Sequence, residues 1–149
     1  MRLGDSCLIL EADGGCTAND EVKWMRILLA DDQPSVRFAL RVLLERQAGE
    51  EVVGEAADTE QLVTLAEATR PDLLLLDWEL PGPAAIDLLA VLRGISPNLI
   101  VIALSGQPDA RRAALLAGVD AFVSKGDPPE QLLAAIRAHS GVCRDGRNL

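Results

Sequence analysis

Three carboxylates, a hydroxyl and an ammonium group stand at the ends of short apolar runs. Asp31-Asp32 follows ILLA, Asp77 follows LLLL, Ser105 follows VIAL, and Lys125 follows AFVS. Carboxylates brought to close range repel one another, and one pKa rises unless a cation intervenes. A hard divalent ion such as Mg2+, held by a few oxygens and several waters, meets that need. Lysine adds a positive point charge and serine a donor. A carboxylate flanked by a metal, an ammonium and a hydroxyl is arranged to attack an electrophilic phosphorus. The acyl phosphate so formed has its oxygens held by the same three groups. Asp77 is the reactive member. Residues 71–83, PDLLLLDWELPGP, set it where a buried strand emerges into a loop that Pro81-Gly82-Pro83 keeps irregular.

That chemistry requires elements that deliver all five side chains to one rim. Leu73 to Leu76 is apolar without alternation, as suits a strand buried on both faces. Residues 26–31 (RILLAD), 51–55 (EVVGE), 99–104 and 120–123 give four further strands. Between them lie helices. Pro34 opens the first, with Val36, Leu40, Leu43 and Leu44 at helical spacing. Asp58 or Thr59 caps the second, which carries Leu62, Leu65 and Ala66 on one face. The third, from Ala84, turns Ile86, Leu89 and Leu92 to the core. The fourth, residues 108–117, turns Ala113, Leu116 and Ala117 inward, leaves Arg111-Arg112 outside, and ends at Gly118. The fifth, from Pro128 or Pro129, buries Leu132, Leu133, Ala135 and Ile136. Strands alternating with helices mean an α/β fold, a doubly wound parallel sheet with both faces covered. Strand order 2-1-3-4-5 makes strands one and three central neighbours. Asp31-Asp32 and Asp77 then emerge side by side, at the edge where Ser105 and Lys125 also end their strands.

The chain has 149 residues, enough for one sizeable core. Residues 25–139 form the predicted domain. Residues 1–24 read as a flexible arm with a short strand at residues 7–10, and residues 140–149 as a polar tail. Met25 is an alternative start of the folded unit. A formal net charge of −9 argues against a general nucleic-acid surface. Cys7, Cys16 and Cys143 lack metal-ligand spacing, and their odd number closes no disulfide framework, which suits a reducing cytoplasm. No apolar run approaches the roughly 18 residues of a membrane span.

The set Asp31-Asp32, Asp77 with Pro81-Gly82 after it, Ser105-Gly106 and Lys125 resembles the receiver domain of two-component response regulators. The resemblance covers residues 26–139, and it rests on four motifs in order, each at the end of a successive strand. It implies a flavodoxin-like receiver fold and phosphorylation of Asp77 by a phosphohistidine of a sensor histidine kinase. Asp32, helped by Asp31, would bind Mg2+ together with Asp77 and the backbone carbonyl of Glu79. Ser105 and Lys125 would each hold a phosphoryl oxygen. Phe122 falls at the switch position and would turn inward as Ser105 moves, altering the face formed by helix four, strand five and helix five. The readout would be contact with a downstream protein or a missing output domain, with a phosphorylation-dependent homodimer as an option. Neither direct nucleic-acid contact nor a membrane is implied for this chain.

Departures from the family pattern are specific. Ser105 stands where many members have Thr, Phe122 lacks the hydroxyl of the commoner Tyr, and Gly126 replaces a common Pro, so no cis peptide is expected there. SKGDPPEQL resembles receivers joined to LuxR-type helix-turn-helix domains, yet the ten residues after His139 hold no such module. Bland readings stand beside the sharp ones: Asp31 as a helix cap, Phe122 as core, Trp78 as packing rather than a lid, and His139 as a favourable helix-end charge. Glu79 and Gln107, two residues past Asp77 and Ser105, are placed to shield or orient attacking water. A phosphorylation-independent pseudo-receiver is the first rival, disfavoured by the complete acidic set. An aspartyl phosphatase is the second. It needs its acid two residues from its nucleophile on strand one, whereas Asp31 and Asp32 are adjacent. No turnover of a metabolite is expected.

Overall fold

The protein is described here by a computed structural model covering residues 24–83 and 85–140. The expected strand at residues 7–10, the cysteines, Ala84, the Ile86 side chain and the tail lie outside the described residues. Among those described, five strands alternate with five helices. They run β1 (Met25–Ala30), α1 (Pro34–Glu45), β2 (Glu50–Ala56), α2 (Thr59–Thr69), β3 (Leu73–Asp77), α3 (Ala85–Ile95), β4 (Ile100–Ser105), α4 (Ala110–Ala117), β5 (Ala121–Ser124) and α5 (Pro129–Ser140).

The strands pair in parallel in the order β2-β1-β3-β4-β5. All of β3 is buried, which accounts for its unbroken leucine run. Leu74 and Leu76 enter one apolar cluster and Leu73 and Leu75 the other. Leu28 and Ala30 against Ile27 and Leu29, and Val101 and Ala103 against Ile102 and Leu104, divide in the same way. The first cluster is closed by α2, α3 and α4 through Leu62, Leu89, Leu92 and Ala114. The second is closed by α1 and α5 through Leu44, Leu132 and Ile136. Fully burying one such side chain contributes about 1.5–3 kcal/mol.

Boundaries agree with the sequence reading to within a residue or two. Asp58 caps α2, its carboxylate accepting from the Gln61 N–H at 2.8 Å. Gly118 ends α4 with φ at 108°, a conformation that suits glycine. No cis peptide occurs among the described residues. The inner face of α4 is different from expectation. Ala114 is buried, with Ala110 and Ala117 packed beside it, while Ala113 is exposed and Leu116 is 77% exposed. Three alanines spaced four and then three residues apart form the contact stripe. Small side chains let a helix lie close to the sheet, and the large leucines point to solvent.

Candidate functional site

Each strand places its reactive residue by the point at which it ends. β1 stops at Ala30, and the Asp31 N–H donates to the Ala56 carbonyl of β2 at 3.0 Å, so Asp31 is still fixed by the sheet. Its Oδ1 accepts from the Gln33 N–H at 2.8 Å. Asp31 is 1% exposed, whereas Asp32, one residue on, is exposed. Asp77 closes β3 at 3% exposure. Its Oδ1 accepts from the Glu79 N–H at 3.0 Å, and its carbonyl accepts from the Leu80 N–H at 3.1 Å, forming a tight turn. The Trp78 N–H donates to the Leu104 carbonyl at 2.8 Å and ties that turn to β4.

Lys125 reaches back from the end of β5. Its Nζ lies 2.8 Å from Asp31 Oδ2 and 3.3 Å from Asp77 Oδ1. The Asp31 contact is an ion pair without hydrogen-bond alignment, so the buried Oδ2 lacks a well-directed donor among the described residues. One carboxylate oxygen from each of Asp31, Asp32 and Asp77 lies within 4.8 Å of the others. An all-oxygen set of this size, with one exposed member open to water, fits a hard divalent cation.

Burial pushes the Asp77 carboxyl above the usual carboxylate range. The Glu79 N–H opposes that shift, the Asp31 charge adds to it, and Lys125 opposes it. For Lys125, burial works against the charged form, but the Asp31 and Asp77 carboxylates outweigh it and raise the pKa. The site therefore holds a carboxylate under strain of charge beside a firmly protonated ammonium.

Ser105 ends β4 and is completely buried. Its Oγ donates to Glu79 Oε2 at 2.7 Å and accepts from the Gln107 N–H at 3.0 Å. The Lys125 N–H donates to the Ser105 carbonyl at 2.8 Å, which joins the ends of β4 and β5. The link from Ser105 to the Glu79 side chain escapes sequence reasoning. Spacing puts Glu79 at the rim, but no pattern in the chain pairs its carboxylate with a hydroxyl 26 residues away.

Phe122 is 8% exposed and packs in the first apolar cluster, with the Arg111 guanidinium carbon 5.9 Å from its ring centroid. The ring lies inside in this structure. Trp78 is half-buried against the same cluster. Beside Asp77, Trp78, Leu80 and Thr59 line a cavity of about 200 Å³ that reaches Gly82. Thr59 is buried, and its N–H donates to the Pro81 carbonyl at 3.1 Å. A Cβ on Gly82, whose φ is +133°, would fall 1.9 Å from the Thr59 hydroxyl oxygen. The loop after Asp77 is thus closed tightly against the start of α2. His139 Nδ1 lies 3.0 Å from the Ala135 carbonyl, within its own helix and remote from the site.

A five-stranded doubly wound parallel sheet with an aspartate pair, a buried aspartate, a serine and a lysine at its carboxyl rim defines an α/β domain of the flavodoxin-like class. The sequence matches the family described as response regulator receiver domain over residues 27–137, and the chain belongs to that family. The nitrate/nitrite response regulator NarP of Escherichia coli K12 is 36% identical over 115 residues, 76% of this chain and 54% of NarP. NarL of the same strain is 38% identical over 112 residues, 74% of this chain and 52% of NarL. The chain therefore spans about half the length of these relatives. A two-component response regulator of the LuxR family from Aurantimonas sp. SI85-9A1 superposes with a TM-score of 0.71 at 35% identity, covering 78% of this chain and 84% of that one. RcsB from Salmonella enterica serovar Typhimurium, bound to promoter rprA in the presence of phosphomimetic BeF3−, gives a TM-score of 0.71 at 28% identity, covering 79% and 61%. No helix among the described residues is long and apolar enough to cross a membrane.

Proposed function

We propose that Asp77 is the phosphoacceptor of a two-component relay, modified by the phosphohistidine of a sensor histidine kinase. The observation that carries this reading is the contact of buried Asp77 Oδ1 with Lys125 Nζ at 3.3 Å, next to the oxygens of Asp31 and Asp32. In the step, an Asp77 carboxylate oxygen attacks the phosphorus and the P–N bond breaks. The imidazole nitrogen leaves with the bonding pair and takes up a proton. Asp31, Asp32, Asp77 and the Glu79 carbonyl are the residues that would hold Mg2+. When bound, the ion neutralises carboxylate charge and polarises the phosphoryl oxygens. Lys125 orients and stabilises one phosphoryl oxygen, and Ser105 donates to another. No metabolite is turned over.

Readout is by protein contact. The surface of α4, β5 and α5 is the proposed route, because β5 is tied to Ser105 and α4 exposes Leu115 and Leu116. Its target is a downstream protein, an output domain of a longer protein, or a second copy in a phosphorylation-dependent homodimer. A cytoplasmic location goes with a kinase-coupled domain of this kind. Incubation of the chain with phosphoramidate and Mg2+ is the test. A covalent gain of about 80 Da, the mass of one phosphoryl group, is expected in the wild type and not in Asp77→Asn. A gain that persists in Asp77→Asn sinks the assignment.

A further inference from the structure

We propose that the Glu79 side chain is a resting-state latch on Ser105, which a phosphoryl group on Asp77 must displace before the serine can respond. The proposal rests on the reading of Asp77 as phosphoacceptor.

A serine hydroxyl has a single proton to donate. In Ser105 that proton is directed at Glu79 Oε2, 2.7 Å away, and the oxygen is occupied as an acceptor by the Gln107 N–H at 3.0 Å. The alternative acceptor, the Gln107 carbonyl, lies at 3.5 Å, at the limit of a hydrogen bond. Ser105 is completely buried, so water does not substitute for either partner. A phosphoryl oxygen gains the serine proton only by taking it from Glu79. Charge-assisted bonds to a carboxylate are among the stronger ones, and the exchange opposes modification by what that bond contributes.

Glu79 is built to let go. Its residue is exposed, so the freed carboxylate passes into water instead of being buried without a partner. Its backbone stays in place because its N–H is bonded to Asp77 Oδ1 at 3.0 Å. One residue thus touches the acceptor through its main chain and the responding serine through its side chain. A phosphoryl dianion beside it would drive the carboxylate outward. The Ser105 carbonyl is bonded to the Lys125 N–H, so release of the hydroxyl acts on the junction of β4 and β5. A protein whose responsive arrangement is held back in this way binds a phosphoryl-like ligand more weakly than its intrinsic affinity.

The test is a double-mutant cycle on the full chain, read as beryllofluoride affinity in the presence of Mg2+. Glu79→Ala is expected to bind about tenfold to a hundredfold tighter than the wild type, the equivalent of one hydrogen bond to a charged group. In a Ser105→Ala background the same Glu79→Ala change is expected to give no gain, because there is no hydroxyl to release. An equal gain in both backgrounds means that Glu79 acts through its charge alone and overturns the latch. No gain in Glu79→Ala overturns it as well. In the resting protein, the Gln107 amide resonance should shift in Glu79→Ala, which a pure charge effect on the bound anion does not require. Failure of the wild type to bind beryllofluoride, or undiminished binding in Asp77→Asn, overturns the assignment of Asp77 and the latch with it. Equal gains instead remove the latch and leave that assignment standing.

Discussion

The two ends of the sheet use carboxylates in opposite ways. At the amino end of the strands, two acids complete the backbone, while Glu50 at the start of β2 keeps a buried Oε1 without a hydrogen bond. Asp72 Oδ2 accepts from the Arg26 N–H at 2.9 Å, and Asp120 Oδ2 accepts from the Val101 N–H at 2.8 Å and from the Arg93 guanidinium at 3.0 Å. Each is placed where a donor already waits. At the carboxyl end, Asp31, Asp32 and Asp77 crowd within 4.8 Å, and a lone buried oxygen of Asp31 has only an ion pair without alignment. Acids of the first kind stabilise the fold. Acids of the second kind are crowded together, and burial raises the pKa of Asp77 among them.

The contrast can be broken most forcefully through its cations. Lys125→Met should lower phosphoryl incorporation from phosphoramidate by about 100-fold, the scale set by removal of one oxyanion donor. Arg93→Met, which strips the cation from an acid at the other end, should leave incorporation within about twofold of wild type. A similar loss in both variants would mean that the two ends are not functionally distinct. Removing acids gives the next largest effect, and its sign should reverse between the ends. Asp120→Ala is expected to cost about 1–3 kcal/mol in urea unfolding, since it deprives a strand N–H of its partner. Asp77→Asn should instead raise the unfolding midpoint, because it discharges a buried carboxyl whose pKa is raised mainly by burial.

Mg2+ sharpens the comparison further. At about ten times its Kd the ion should stabilise the wild type by about 1.4 kcal/mol, and Asp77→Asn distinctly less. Asp120→Asn should keep the full increment. The smallest effect is on pH dependence. Asp77 has a higher pKa folded than unfolded, so between the two values the folded state holds more protons. Stability contributed by this group is present below the ordinary carboxylate value near about 3.9 and falls as pH rises through the raised one. Unfolding midpoints measured across that acid range should decline with pH in the wild type and decline less in Asp77→Asn.

Much of this was legible before any coordinates. The leucine run of β3 reads as a doubly covered strand because all of its side chains do face apolar clusters. Once the strand order follows from alternation and handedness, the rim positions of Asp31, Asp77, Ser105 and Lys125 follow too. Periodicity failed at α4, where Leu116 outweighs alanine on any hydrophobic scale, yet alanines make the contact. What decides there is the space between helix and sheet, which a linear pattern does not encode. The bond from Ser105 to Glu79 was hidden for a related reason, since it depends on side-chain rotamers across a loop rather than on spacing.

The complete enclosure of β3 has a mechanical side. Flanked by β1 and β4 and walled by helices on both faces, the strand that carries Asp77 is paired on both edges and covered on both sides. β5, four residues long, is an edge strand paired along one side only, as β2 is on the opposite edge. If Asp77 is modified as proposed, displacement is expected at the edges of the sheet rather than in β3.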